Sequence, residues 1–509
     1  MTLKSLIDKP EELLKFIQEC LKPKDIEKKK YGEVFTPIKL VNEMLDKLPI
    51  EVWTDPELKW LDPANGMGNF PITIYYRLMD GLKEVISNTN QRKKHILENM
   101  LYMSELNKKN CFITKQIFDI NNEYNLNIYE GNSLEMDTKD LWNIEKFDII
   151  IGNPPYQEIT EKGIVKGGGN NLYTKFIYKA NDLLKDDGFL LYITPPTFFS
   201  IGRSNNKDNM NIRKDIFNKY FIHYINLEEC SKYFNVGSKF IYYLIQKNNK
   251  INPNMKVICK YNKQIYESNI NQELFNCASY LPYLLTNESL SICDKMKSMN
   301  NKLNIFNSPD NRCDKKHVSK NKDNIHIYPM QATGNQIAYS SKECKNQYDK
   351  KILMSESGYL SPFYDNGING VGGHCFGLIV KNKEEAEHLI KLINSNLYKF
   401  YIEINKWSGF HHVKVLQMLP YIKLNENFTD NELYKIFNLS DNEIQIINNN
   451  YNNDKNNDKK LIDDKKVSSK SSKKSKEDKI CCNAIIKSTG LKCSNEAKYG
   501  DFCGRHKPK

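Results

Sequence analysis

The sequence predicts an α/β protein: a Rossmann-like, mostly parallel sheet covered by helices, followed by a second domain of mixed α+β character. Three observations carry that expectation. Between about residues 57 and 250, short apolar runs alternate with helix-patterned stretches, as crossover connections require. The runs are continuously apolar rather than alternating, as strands are when both faces are covered. A glycine-bearing turn, Asp62-Pro63-Ala64-Asn65-Gly66-Met67-Gly68-Asn69-Phe70, joins the first run to a helix-patterned segment from Pro71 to Leu78.

Taken in order, residues 1–30 predict one helix and a basic exit through Lys28, Lys29 and Lys30. Within the first domain, residues 31–250, strands are expected over 58–64, 96–106, 126–131, 147–155, 189–195 and 240–247. Residues 251–425 lose the alternation and become rich in Asn, Lys, Tyr and glycine turns, which marks a second domain. Residues 426–479 predict a helical end running into an Asn-, Lys- and Ser-rich linker, too polar to fold from 446 onward. A small Cys/His module closes the chain at 480–509.

The net charge is +12, which suits an anionic partner such as nucleic acid. Residues 452–509 hold sixteen Lys or Arg against eight Asp or Glu, and so +8 of that total. The body is only mildly basic, and a solvated basic tail accounts for the charge equally well. No apolar run reaches the roughly 20 residues of a membrane span, and the N-terminus lacks a signal-peptide block. Of thirteen Cys, nine lie singly in the first 375 residues without disulfide-like pairing. An intracellular protein with no membrane partner is expected.

The turn after the first strand brings backbone close to a ligand at the carboxyl edge of the sheet, through Ala64, Gly66 and Gly68. It lacks the full dinucleotide spacing, and no Gly-Lys-Ser/Thr follows, so a triphosphate loop is excluded. Asp62 would repel phosphate but can receive the ammonium of a methionine moiety, which favours S-adenosylmethionine over NAD or ATP. Glu105, ending the next strand, is placed to bind both hydroxyls of a ribose; a surface acid is the alternative. Asn132, after the third strand, can reach the adenine ring of the cofactor.

Asn153-Pro154-Pro155-Tyr156 follows the apolar strand directly, about 90 residues beyond the glycine turn. Two prolines fix the backbone and remove two donors, leaving bare carbonyls at the site. An exocyclic amine on a purine is a poor nucleophile because its lone pair is delocalised. The Asn153 amide oxygen and the Pro154 carbonyl can accept both amine hydrogens and release that lone pair to attack a methyl sulfonium. Tyr156 offers a face for a base extruded from the duplex.

These residues resemble the amino-methyltransferases, and within them the gamma-class N6-adenine DNA methyltransferases of the restriction–modification type. Tyr31-Gly32-Glu33-Val34-Phe35-Thr36-Pro37 resembles the segment that closes over the cofactor in that class, which implies cofactor contacts from Phe35, Thr36 and Pro37. Asn171 to Phe176, Asp187 to Pro195, Phe234 to Ser238 and Trp407 to Pro420 resemble later segments of the family. The resemblance covers roughly 31–425 and implies an S-adenosylmethionine-dependent methyltransferase sheet, double-stranded DNA as substrate and a C-terminal target-recognition domain. No fused nuclease domain is expected in this chain; a separate cognate restriction endonuclease is a candidate partner whose existence the sequence does not decide. Asn132 stands where the family often has Asp.

In the second domain Tyr328-Pro329-Met330-Gln331, Ser357-Gly358-Tyr359, Gly367 to Gly373 and His411-His412 are the segments expected to face DNA; an ordinary hairpin turn is the alternative for the glycine run. Cys482, Cys493, Cys503 and His506 form a tetrahedral zinc set in type, although the first spacing is irregular and Cys481 could replace Cys482. Cytosine C5 methylation is disfavoured because no Pro-Cys pair exists. Cytosine N4 methylation, protein-glutamine or RNA amino-methylation, and a non-catalytic DNA-binding subunit stay open.

Overall fold

A computed structural model describes residues 4–20, 36–156, 171–200, 211–234, 239–307, 317–332, 336–344, 346–407, 409–425 and 427–451. Among them, nine strands form one sheet in the order β3-β2-β1-β4-β5-β7-β6-β8-β9. Its first half is parallel: β1 (Trp60–Asp62) lies between β2 (Leu101–Glu105) and β4 (Phe147–Gly152), with β3 (Asn127–Glu130) outside β2 and β5 (Leu184–Thr194) outside β4. In β4, Phe147, Ile149, Ile150 and Ile151 are fully buried, which is why this run is apolar on both faces. The chain order reverses between β1 and β4, and a crevice for ligands opens at the carboxyl ends of strands at such a point.

Beyond β5 the sheet departs from the expected strands. β6 (Phe221–Asn226) is interrupted by His223 and Asn226 and does not read as an apolar run, yet Ile222, Tyr224 and Ile225 are buried. β7 (Ile241–Gln246) inserts antiparallel between β5 and β6. The sheet then continues past the expected domain boundary at 250. β8 (Met255–Tyr261) pairs in parallel with β6 and turns back into β9 (Gln264–Ile270). Asn262 and Lys263 both have positive φ, 46° and 66°, the two-residue turn whose twist suits a hairpin.

The expected strand 96–106 starts five residues late, because Ile96–Met100 closes a π-helical turn. Ile96, Leu97 and Met100 are buried at helical spacing, and an apolar run this short does not by itself separate strand from helix. The helix after the glycine turn, Asn69–Gly81, buries Phe70, Ile74, Tyr75 and Leu78 against the sheet. The N-terminal helix Pro10–Cys20 follows a short turn that is tied down by Tyr76 Oη on the Ile7 carbonyl (3.0 Å) and by the Lys93–Asp8 pair (2.7 Å).

The second region holds two small sheets. One is ordered β10-β17-β14-β15: β10 (Phe306–Asn307), β17 (Cys375–Ile379), β14 (Lys350–Ser355) and β15 (Phe363–Asn366). The other is ordered β11-β13-β12-β16: β11 (Val318–Ser319), β13 (Gln336–Ser340), β12 (Tyr328–Ala332) and β16 (Gly370–Val371). Helices Lys383–Ile393 and Asn396–Ile404 follow. A helix over residues 441–451 belongs at least in part to the body: Glu443 pairs with Lys295 at 2.7 Å and Ile447 is fully buried. No helix among the described residues is long and apolar enough to cross a membrane.

Candidate functional site

Asp62 ends β1 facing into the crevice and is 2% exposed. Its Oδ1 accepts the Ala64 N–H at 3.0 Å, while Oδ2 is buried without a partner. Burial pushes the carboxyl up to about 8; the Glu105 charge adds to this and the Ala64 N–H opposes it. Gly152, ending β4, keeps the approach clear, since a Cβ there would stand 2.8 Å from Asp62 Oδ1.

The glycine turn is pinned across the sheet. Asn65 N–H donates to the Ser104 carbonyl (3.0 Å) and Gly66 N–H to Glu105 Oε2 (2.7 Å). Gly66 (φ 56°) and Gly68 (φ 94°) lie in the left-handed region that favours glycine, and a Cβ on Gly66 would meet only open space. Asn69, at the start of the helix, donates to the Thr36 carbonyl (2.7 Å) and leaves its buried Oδ1 unpaired. Unpaired buried oxygens on Asp62 and Asn69 beside an open glycine turn fit a ligand carrying donors, as the ammonium end of S-adenosylmethionine does.

Glu105 and Asn132, two further expected cofactor residues, already hold partners within the chain. Glu105 spends both carboxylate oxygens on backbone, Oε2 on Gly66 N–H and Oε1 on Asn107 N–H (2.7 Å), so its first task is to hold the turn. The Asn132 side chain folds into its own turn, accepting Leu134 N–H (3.2 Å) and donating to Glu135 (2.6 Å). Ser133 points inward instead, with Oγ on the Pro63 carbonyl and on Ser104 Oγ. Sequence reading also missed Leu106, which is 59% exposed directly after Glu105; the apolar run hid it as a strand residue.

Asn153 continues from β4, with Pro154 buried and Pro155 half-buried. Its Nδ2 donates to Thr36 Oγ1 at 3.0 Å, which ties the Asn153–Tyr156 segment to the one expected to close over the cofactor. Its Oδ1 accepts the Tyr156 hydroxyl, so the amide oxygen offers one remaining lone pair rather than two. Tyr156 stacks on Phe240 (centroids 4.6 Å, 27°), and Phe240 meets Phe234 edge-on at 5.6 Å. One face of Tyr156 is therefore already covered, and burial pushes its hydroxyl well above the usual phenol range. Pro37 starts the helix Ile38–Leu45, whereas Phe35 lies outside the described residues.

Several second-domain expectations are corrected. Met330 and Gln331 are buried in β12, so they are packing residues rather than base readers. The glycine run serves close packing: a Cβ on Gly367 would stand 2.4 Å from the Tyr348 carbonyl oxygen, and one on Gly372 2.1 Å from that of Gln331. His411 is buried, and burial, helped by Lys406, pushes its imidazole down to about 4. Cys482, Cys493, Cys503 and His506 lie outside the described residues, among which no cluster of His, Cys, Asp and Glu suits a metal.

Comparison with known proteins gives the same picture. Residues 85–234 match the family described as the Eco57I restriction-modification methylase. The chain is similar to an adenine-specific methylase of Mycoplasma pneumoniae, 26% identical over 288 residues that cover 42% of this chain and 67% of that one. It is 31% identical over 183 residues to the modification methylase CviBIII of Paramecium bursaria Chlorella virus NC1A, 35% of this chain and only 40% of that one. Among solved structures, the Type IIL restriction-modification enzyme MmeI in complex with DNA aligns over 79% of this chain and 70% of its own (TM-score 0.53, 10% identity). A DrdV–DNA complex aligns over 82% and 58% (TM-score 0.52, 12% identity). At such identities the structural likeness speaks for the fold alone.

Proposed function

We propose, from the match of residues 85–234 to the Eco57I restriction-modification methylase family, that this chain transfers a methyl group from S-adenosylmethionine to the N6 amino group of adenine in DNA. The observation that carries the reading is the juxtaposition at the switch point of the sheet. Asp62 ends β1 with an unpaired oxygen, and Asn153-Pro154-Pro155-Tyr156 leaves the neighbouring β4. The adenine-specific name of the Mycoplasma relative supports adenine as the target, and the modification-methylase name of the viral one supports a modification setting.

When bound, the cofactor supplies an electrophilic methyl group. The remaining steps belong to this chain. Asp62 Oδ2 would receive the ammonium, the Gly66–Gly68 turn would admit the ligand to the backbone, and Leu106 would give an apolar surface to its purine. Asn153 Oδ1 accepts one hydrogen of the target amine with its second lone pair, and the Pro154 carbonyl accepts the other. Thr36 fixes the amide so that its oxygen, not its NH2, faces the amine. Tyr156 orients the same oxygen from the other side. As the nitrogen attacks it becomes cationic, and these acceptors stabilise that charge before a proton leaves.

Mapping methylated bases in DNA treated with the protein and S-adenosylmethionine, with digestion to nucleosides, tests the reading. N6-methyladenine in one sequence context is expected. Asn153→Ala should lower turnover by about 10²–10³-fold, as loss of one positioned transition-state hydrogen-bond partner does, while cofactor binding persists. N4-methylcytosine instead would move the target to the other exocyclic amine. No methylated base at all, or near-wild-type turnover by Asn153→Ala, would overturn the mechanism.

A further inference from the structure

Tyr359 sits at the tip of the β14–β15 hairpin, 85% exposed, on a loop that is held as tightly as a core turn. Ser355 N–H donates to the Leu360 carbonyl (2.9 Å), and Ser355 Oγ donates to the Ser357 carbonyl (2.9 Å). The Gly358 carbonyl receives Lys406 Nζ at 2.8 Å and His411 Nε2 at 3.0 Å. Gly358 (φ 67°) and Ser361 (φ 45°) both take the left-handed conformation on either side of the ring. Beneath the loop, Glu356 is 5% exposed and bonds His374 Nδ1 at 2.6 Å, while Phe410 stacks on the His374 ring (5.6 Å, 28°). Ser357 and Phe410 form a strand-like bridge that clamps the tip to residues 409–412. A loop that only joins two strands gains nothing from so many braces beneath an exposed ring, since ordering the backbone costs conformational entropy.

Residues next to the clamp pack toward the Asn153-Pro154-Pro155-Tyr156 segment. Trp407, just before the clamp, packs on Phe199 in the loop after β5 (6.2 Å, 49°), on Tyr283 (5.3 Å, 84°) and donates to the Leu281 carbonyl (2.8 Å). Lys239 Nζ stands 3.2 Å from the centre of the Tyr283 ring, and the next residue, Phe240, carries Tyr156. Ring contacts and chain neighbours thus connect Trp407, through Tyr283 and Lys239–Phe240, to Tyr156. The opposite end of the same hairpin is closed inward by the buried Lys351–Asp365 pair (3.0 Å).

Resting on the methyl-transfer reading above, we infer that Tyr359 is an intercalating wedge: its ring enters the DNA base stack and occupies the space vacated by the adenine that is turned out toward Asn153. Tyr156 is half-buried and stacked on Phe240, so a base within the duplex cannot reach Asn153. The base must leave its stack, and the vacancy costs stacking energy on both neighbours. An aromatic ring on a braced loop can restore that stacking on any sequence, because every base has a π-face.

The test uses the full chain and a duplex bearing a site found by methylation mapping, with 2-aminopurine in place of the target adenine. Extrusion raises the fluorescence of that base. Tyr359→Ala should bind the duplex about tenfold more weakly, the loss expected for one stacked base, with most of the fluorescence rise gone. Tyr359→Phe keeps the ring and should behave as wild type. On a duplex whose target faces an abasic gap, the stacking cost of extrusion is largely removed, and the Tyr359→Ala deficit should shrink to about threefold or less. An unchanged melting temperature establishes that the variant is folded. Equal deficits on the two duplexes, or no deficit on either, would overturn the wedge while leaving methyl transfer standing. No fluorescence rise with wild-type protein would overturn the wedge and base extrusion together.

Discussion

Replacing Asp62 by Asn should make the ligand-free protein more stable while abolishing the proposed binding of S-adenosylmethionine. Burial lifts the Asp62 carboxyl from its ordinary 3.8 to about 8. The native state therefore holds a proton that the unfolded chain releases, and stability falls as pH rises through that window. Each pH unit in the window is worth about 1.4 kcal/mol, so the penalty is about 4 kcal/mol at pH 7 and levels off near 6 kcal/mol above pH 8. Asn has the shape of the protonated acid: its Oδ1 can keep the Ala64 N–H, and it carries no charge to bury. Thermal unfolding of both proteins from pH 5 to pH 9, with and without S-adenosylmethionine, measures the effect. The melting-temperature gap in favour of Asp62→Asn should open as pH rises and flatten above about pH 8, and only the wild type should gain stability from the cofactor. A gap independent of pH, or a variant less stable at pH 8, would refute both the buried carboxyl and the direction of its shift.

Other perturbations separate positioning from folding. Tyr156→Phe keeps the stack on Phe240 but drops the bond to Asn153, so single-turnover rate should fall while DNA affinity measured by anisotropy holds. Lys351→Ala leaves Asp365 buried without its partner and should cost about 3–5 kcal/mol in chemical denaturation. A cut after residue 451 should leave turnover at saturating DNA nearly unchanged, raise the DNA concentration required and flatten its salt dependence, because the +8 of residues 452–509 is removed. A cut near 439 would take Glu443 and Ile447 with it and should lower the melting temperature outright.

The sequence determined the parts whose chemistry is local. Asp62 to Gly68 had to be a turn at a strand end, because two glycines interrupt an otherwise apolar pattern and their positive φ is available to few other residues. Asn153-Pro154-Pro155-Tyr156 was legible because prolines remove donors wherever they stand, and the run before it is apolar on both faces. Tertiary structure decided what depends on partners far along the chain. β6 is a strand because β7 and β8 pair with it, which its own residues, broken by His223 and Asn226, do not announce. Glu105 braces the glycine turn, and Asn153 is shared between Thr36 and Tyr156, because folding delivers partners from 39 and 117 residues away. The glycines of 367–373 read equally as phosphate contacts or as turns until the Tyr348 and Gln331 carbonyls were found against them. A side chain's type limits the bonds it can make; only the packed chain fixes which of them it has already made.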